Sequence, residues 1–388
     1  MELFITTQAH LEEVLVQELA ALGFPNAEIG FRGVYVDVKD IKDIYRLNLS
    51  LSTASRVLLP IRRSSVRDDR DLYEMAADID WTKFLTPEGT FWIHSNVNHP
   101  QLRHSVYAAQ VVKDAICDQF REEFGTRPNV NREAPDLSLN LFIDERVAIL
   151  SLDTSGEPLH MRGYRQDGGE SPVSETLAAA SLRMAGYTGN QILLDPMAGS
   201  GTFLVEAALI ATKTPPGWLR RRFGFFAHPD YKELEWLELK AKVLKEVVPL
   251  EPNKIFGIEK SAAQTKLCKE NLKVAGFGDA IEVTQADFRD VEPEIKPNFV
   301  IANPPYGVRM EEEATLAPLY RSLGDFLKKK TAHPATGAVL TGSLPLSKEI
   351  GLKPRRRIPL TTGGLEARLL LFDLFSGSKE HPEEKPTL

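Results

Sequence analysis

Cysteine is nearly absent from this 388-residue sequence: Cys117 and Cys268 stand far apart, with no CxxC pair and no histidine partner beside either. Neither a disulfide framework nor a zinc site is expected, and both thiols read as packed residues inside helices. Long apolar runs are missing too. None approaches the roughly 20 residues that span a bilayer, and the opening MELFITTQAHLEEVL lacks the basic start and apolar core of a secretory signal. No membrane role is expected, and the location expected is cytoplasmic. Positive charge is also short, with 47 Lys and Arg against 54 Asp and Glu and a formal net charge of −7. Nucleic acid would therefore have to be held by local patches. Three runs qualify: Arg62, Arg63, Arg67 and Arg70; Arg220 to Arg222; and Lys353 to Arg357. Such a run is more often a solvated face than a binding site.

What is present is the composition of a soluble globular protein, 43% hydrophobic and 26% charged, at a length that suits two or three domains. Residues 1–55 alternate strand and helix, with Leu3 to Thr6 and Phe31 to Val38 as strands. A module of that size is marginal alone and should lean on a neighbour. Residues 56–157 repeat the alternation: a strand over Arg56 to Arg62, a helix over Leu72 to Phe84, a strand over Thr90 to Asn96, a long helix that Gly125 ends, and a hairpin turning at Asp144, Glu145 and Arg146. Residues 158–376 place strands at Ile192, Ile255, Ile281, Phe299 and Ala338 between helical stretches, which predicts a parallel sheet covered on both faces. Arg368 to Phe375, after Gly363 and Gly364, reads as a closing antiparallel strand. The polar tail over 377–388 is expected to be disordered.

The chemistry sits at strand ends. The first strand of the third module runs into Asp195-Pro196-Met197-Ala198-Gly199-Ser200-Gly201-Thr202 and then an apolar helix. Glycines there admit a ligand close to the backbone, and free N–H groups at the helix start favour an anion. The third glycine of a dinucleotide fingerprint is missing, Leu204 standing in its place, and no Gly-Lys-Ser/Thr follows. A plain structural turn is the alternative. The next strand ends at Glu259, a carboxylate able to accept both hydroxyls of a ribose or simply to cap the following helix. The one after ends in Gln285-Ala286-Asp287-Phe288, an acceptor for an adenine amine beside an aromatic face. The fourth runs into Asn303-Pro304-Pro305-Tyr306. Two prolines fix an extended backbone, so the Asn303 side chain and the Pro304 carbonyl form a rigid pair of acceptors. They would hold an exocyclic amine with its lone pair aimed at a methyl donor, while Tyr306 stacks on the base. No general base is evident.

These four strand ends resemble those of the class I amino-methyltransferases that use S-adenosylmethionine. More narrowly, the RGYR run at Arg162 to Arg165, the SETLAAA run at Ser174 to Ala180 and the insert PPGWLRRRFGFF at Pro215 to Phe226 are similar to the bacterial large-subunit ribosomal RNA guanine-N2 methyltransferases. The resemblance implies a class I Rossmann-like α/β domain over 158–376, preceded by a ferredoxin-like domain over 1–55 and a THUMP RNA-binding domain over 56–157. It implies that Asp195, Pro196, Ala198, Gly199, Gly201 and Thr202 line the cofactor, with Glu175 and Thr176 contributing from the preceding helix. Glu259 would hold its ribose, Asp287 and Phe288 its adenine, and Asn303 would touch both cofactor and base. Some members continue into a second methyltransferase domain and this sequence does not, so a single methylation is expected. Structured RNA is the implied partner, ribosomal RNA before transfer RNA, with Arg62, Arg63 and Arg67 as the expected phosphate contacts and no metal required. Adenine-N6 methylation and a non-catalytic RNA-binding role are the remaining alternatives.

Overall fold

The computed structural model describes residues 1–102, 104–165, 173–306 and 310–376; the tail over 377–388 and Gly307, which follows Tyr306, lie outside the described residues. Two compact units emerge, Met1–Gly163 with Thr214–Val247, and Tyr164–Lys213 with the described residues from Val248 on. No helix among the described residues is long and apolar enough to cross a membrane.

The first unit is built on one eight-stranded sheet. Its elements are β1 (Glu2–Thr6), α1 (Glu12–Ala21), β2 (Glu28–Gly30), β3 (Gly33–Asp37), α2 (Ile41–Ser50), β4 (Arg56–Ser65), α3 (Asp69–Ala77), β5 (Thr90–Asn98), α4 (Ser105–Phe124), β6 (Asn129–Val130), β7 (Leu137–Asp144) and β8 (Val147–Asp153). The strand order is β2-β3-β1-β4-β8-β7-β5-β6. The two modules anticipated at 1–55 and 56–157 thus share a sheet: β4 pairs antiparallel with β1, Phe4 opposite Leu58, and with β8, Arg63 opposite Ile149. This is how the small amino-terminal module leans on its neighbour. Glu18, buried on α1, accepts from the backbone and hydroxyl groups of both Ser52 and Thr53, so its carboxylate is satisfied where water cannot reach. The hairpin between β7 and β8 turns at Glu145 and Arg146 as anticipated. The helix expected to reach Phe84 stops at Ala77. Asp80 accepts from Thr82 N at 3.2 Å and starts a short 3-10 turn, which drops Trp81 into the core with its indole N–H on Ala76 O at 2.9 Å.

The second unit begins with α5 (Glu175–Met184), β9 (Leu193–Asp195) and α6 (Thr202–Thr212). Then the chain leaves it. Residues 214–247, including α7 (Glu233–Leu244), belong to the first unit, because Phe223, Phe225 and Trp236 join its core around Tyr45. Phe223 and Phe225 stack at 5.0 Å, and Lys232 N donates to the Tyr45 hydroxyl at 3.0 Å. The run at Arg220 to Arg222 is therefore no open basic patch. Arg220 is 6% exposed, donates to the carbonyls of Ser155, Glu157, Pro158 and Met161, and lies over the Phe223 ring; Arg222 pairs with Asp136 at 2.8 Å.

The second unit resumes with β10 (Ile255–Glu259), α8 (Ala262–Val274), β11 (Glu282–Gln285), β12 (Phe299–Ala302), α9 (Met310–Lys329), β13 (Ala335–Thr341), α10 (Leu344–Glu349), β14 (Arg356–Thr362) and β15 (Leu365–Leu374). The sheet order is β11-β10-β9-β12-β13-β15-β14, parallel except for β15, which runs antiparallel between β13 and β14. The anticipated closing strand is thus present, but it has a partner on each side. Arg356 and Arg357, taken above as part of a basic run, lie on edge strand β14, where charge discourages pairing with another chain. Strand β9 is flanked by β10 on one side and β12 on the other. Connections leave it in opposite directions there, and a crevice opens at the carboxyl ends of the three strands.

Candidate active site

That crevice is a cavity of about 930 Å³, within the size range of cofactor sites. Asp195, Pro196, Ala198, Gly199, Thr202, Glu259, Asp287, Phe288 and the whole Asn303 to Tyr306 run line it. Gly201, Glu175 and Thr176 do not.

The turn after β9 is shaped by two glycines. Gly199 has φ +52 and open space where a Cβ would stand, so a ligand can approach its backbone. Gly201 has φ +86, and a Cβ on it would lie 2.6 Å from the Cys268 sulfur. Both cysteines are free and buried, as the sequence led us to expect. Asp195 is 1% exposed and accepts from Met197 N at 3.0 Å. Burial, reinforced by the negative charge of Glu259, pushes its carboxyl up to about 8. A carboxylate whose folded pKa lies above its unfolded value stabilises the fold fully below about pH 4 and loses that contribution as pH rises through about 8. The Asp195→Asn protein is therefore expected to melt with less pH dependence between 4 and 8 and to gain on the wild type by a few kcal/mol at the alkaline end. Thermal melts of both proteins across that range check it; parallel curves would refute the buried neutral carboxyl.

Glu259 ties the next strand to this turn. One carboxylate oxygen accepts from Gly199 N and the other from Ser261 N, both at 2.8 Å. Asp287, expected to accept from an adenine amine, is tightly constrained. Arg289 donates to both of its oxygens, at 2.8 and 2.5 Å, and Lys260 approaches at 3.1 Å. The Arg289 hydrogen bonds first, with Lys260 adding to them, hold this carboxyl well below the usual carboxylate range. Phe288 is 3% exposed and packs edge-on against Phe326 at 5.7 Å, so little of its ring is left to face a ligand. Gln285 is not part of the cavity lining.

At the end of β12, Pro304 is buried, Pro305 exposed and Asn303 half-buried. The Asn303 side-chain oxygen is fully shielded and has no hydrogen-bond partner among the described residues. Tyr306 packs against Gly342, where any Cβ would stand 2.6 Å from the tyrosine ring. Behind the cavity, Glu175 accepts from Arg165 Nε at 2.8 Å, and Arg165 also reaches Thr202 Oγ1 at 3.1 Å. Glu175 thus supports the turn through Arg165, and neither it nor Thr176 lines the cavity. Among the lining residues that sequence reasoning missed are Lys260, Arg289 and Thr315, with Thr362, Gly363 and Leu365 at the hairpin tip.

The three arginines expected to contact RNA lie in the first unit and differ in their freedom. Arg62 pairs with Asp78 at 2.5 Å, and Arg67 donates to both oxygens of Asp71 at 2.8 and 3.0 Å. Arg63 is exposed and enters no ion pair among the described residues.

Comparison with known proteins agrees with this architecture. The RMKL-like methyltransferase domain matches residues 162–369, more than half of the chain. The chain belongs to the RMKL-like methyltransferase family. A THUMP domain matches residues 66–153 and the RlmL ferredoxin-like domain residues 2–58. A protein of Synechocystis named as a candidate RNA methyltransferase is 36% identical over 374 residues, 96% of each chain. The ribosomal RNA large subunit methyltransferase K/L of Methylococcus capsulatus is 35% identical over 96% of this chain, which spans only 51% of that relative. This chain therefore covers nearly all of the first relative and about half of the K/L relatives. A candidate methyltransferase solved in complex with SAH superposes with a TM-score of 0.85 at 24% identity, covering 97% of this chain and 99% of that one, a likeness of fold.

Proposed function

We propose that this chain is an S-adenosylmethionine-dependent RNA methyltransferase, acting in the cytoplasm on the exocyclic N2 amine of a guanine in large-subunit ribosomal RNA. Residues 158–376, without the 214–247 excursion, would be its catalytic part, and the ferredoxin-like and THUMP modules over 1–55 and 56–157 its RNA-binding part. The observation that carries the reading is the Asn303 side-chain oxygen, shielded, unpaired and set at a strand end on the cavity wall. A buried acceptor without a partner costs roughly 1–3 kcal/mol, a penalty that a ligand N–H removes.

The lining suits the cofactor. Gly199 leaves its backbone open to close approach, Glu259 retains lone pairs for ribose hydroxyls, and Asp195 offers a buried carboxyl that a cationic ligand would help to ionise. S-adenosylmethionine supplies a methyl group activated on a sulfonium. The residues of this chain supply placement. Asn303 and Pro304 accept the two amine hydrogens of the flipped base, which turns the nitrogen lone pair toward the methyl carbon, and Tyr306 backs the base plane. The nitrogen would then shed its proton to solvent. The names of the K/L relatives favour ribosomal RNA, and guanine follows from the family resemblance of the motifs.

Incubation with tritiated S-adenosylmethionine and separate pools of ribosomal RNA, transfer RNA and DNA, followed by nucleoside analysis, tests the reading. Label is expected in the ribosomal fraction as N2-methylguanosine. N6-methyladenosine would overturn the base, and label confined to transfer RNA would overturn the substrate.

A further inference from the structure

The eight-stranded sheet has two faces, and among the described residues of its unit helices cover only one along its length. Phe91 and Ile93 on β5, Leu139, Leu141 and Ile143 on β7, and Ala148, Leu150 and Leu152 on β8 are buried in the core with α3 and α4. The alternate residues point the other way. Register places Trp92 opposite Ser138, His94 opposite Asn140, Asn96 opposite Phe142, Phe142 opposite Ile149, and Ile149 opposite Arg63. Residues Gly224–Ala227 cover one end of this outer face, over the buried Ser138, Ser151 and Asp153. Beyond that end Asn96 and Arg63 are exposed, and Trp92, His94, Phe142 and Ile149 partly so.

We propose that this open half-face, from Trp92 and His94 on β5 across Phe142 on β7 to Arg63 on β4, is a docking platform for a single-stranded segment of RNA. The inference rests on the RNA-methyltransferase reading above and adds where the substrate lies on the first unit. The combination of side chains is what points to a nucleic acid strand. The Arg132 guanidinium stands 5.8 Å from the Trp92 ring, Trp92 meets His94 edge-on at 6.2 Å, and Arg56 Nη2 comes within 3.5 Å of His94 Nε2. Burial first, then Arg56 and Arg132, push the His94 imidazole down to about 4, so at neutral pH it adds a neutral ring and a hydrogen-bonding nitrogen. Arg56 is matched by the buried Asp153. Arg63 and Arg132 enter no ion pair among the described residues, which leaves two uncompensated cations on a chain whose overall charge is −7. Asp144, the carboxylate at the far corner, accepts from Asn98 at 2.9 Å.

Rings and asparagine amides set flat in a sheet, with cations on two sides, match unstacked bases and their phosphates. Bases stacked inside a duplex would not reach Trp92 or Phe142, so a single strand is the occupant. Arg62 and Arg67 take no part, because Asp78 and Asp71 hold them away from this face.

Fluorescence anisotropy of the full chain with a labelled single-stranded RNA 12-mer, and with the same sequence as a duplex, tests the platform. Trp92→Leu is expected to weaken single-strand binding about tenfold. The Arg63→Gln, Arg132→Gln double variant is expected to lower the slope of log affinity against log salt by about 1.4, roughly 0.7 for each phosphate no longer neutralised. An Arg62→Gln, Arg67→Gln control should bind as the wild type does. Photocrosslinking of thiouridine RNA to the unmodified protein needs no variant to fold, and crosslinks are expected within residues 90–98 and 137–144. Wild-type affinity in the Trp92 and arginine variants, crosslinks confined to other segments, or no single-strand binding at low salt would each overturn the platform, the last leaving the face for a protein partner. Methyl transfer measured in parallel separates the two ideas: transfer to RNA without crosslinking at this face sinks the platform alone.

Discussion

Replacing Asn303 by Ala is expected to lower the rate of methyl transfer roughly 10²- to 10³-fold, the range seen when one preorganised polar group facing a developing charge is removed. The base amine is a poor nucleophile because its lone pair is delocalised into the ring. On the proposed reading, two acceptors in fixed positions make up for that by orienting the nitrogen and stabilising the positive charge that grows on it. Losing one leaves Pro304 alone, and the amine can then rotate away from the methyl. Affinity for SAH should stay within a few-fold, because Glu259, Asp287 and the turn after β9 are untouched. The substitution also discards a buried acceptor that has no hydrogen-bond partner, so the melting temperature should hold or rise. Low activity accompanied by a lower melting temperature would point to damage in the fold instead. Single-turnover transfer from tritiated cofactor to ribosomal RNA, beside a melt of the same preparation, checks both halves; transfer within threefold of wild type sinks the assigned role.

How much of this site could be read before the fold was known follows from what is local in a parallel sheet. Asp195 and Glu259 each terminate a strand and Asp287 and Asn303 follow one within two residues, and strands of one parallel sheet end on one side, so alternation alone brings them together. The constraints on those residues come from farther away or from side-chain reach. Arg289 lies two residues beyond Asp287, yet nothing in that spacing announces that it would clamp both carboxylate oxygens. The wall at Thr362 to Leu365 depends on β15 entering between β13 and β14, an order that the sequence of elements does not carry. Arg220 misled for a related reason. Three successive arginines look solvated, but the first is consumed by carbonyls from residues 155 to 161, which only the return of the 214–247 excursion brings near. Glu175 and Thr176 share the helix start that the family motif predicts and do not line the cavity, and Arg165 stands between Glu175 and Thr202.

Gly201→Ala is expected to weaken SAH binding on the order of 10²-fold, although Gly201 does not itself line the cavity. Two separate costs act on the turn. A left-handed backbone, φ +86 here, costs an L-residue about 1–2 kcal/mol. The new methyl group would also stand 2.6 Å from the Cys268 sulfur, so either the turn or α8 must move. The two are tied together there, Asn271 of α8 donating to Ser200 O at 3.0 Å, so a shift of α8 would carry the turn with it. Displacing Gly199 would break its N–H bond to Glu259 and misplace two walls of the cavity at once. At about 1.4 kcal/mol per decade, backbone strain alone accounts for roughly tenfold and the collision for the remainder. Cys268→Ala separates them, because it removes the sulfur and leaves its Cβ at the tolerable distance of 3.6 Å. The Gly201→Ala, Cys268→Ala double variant should therefore recover about tenfold in affinity by calorimetry, with the strain still in place. If the double variant binds no better than the single, the steric half of the argument fails; if Gly201→Ala binds like wild type, the turn after β9 is not the cofactor's seat.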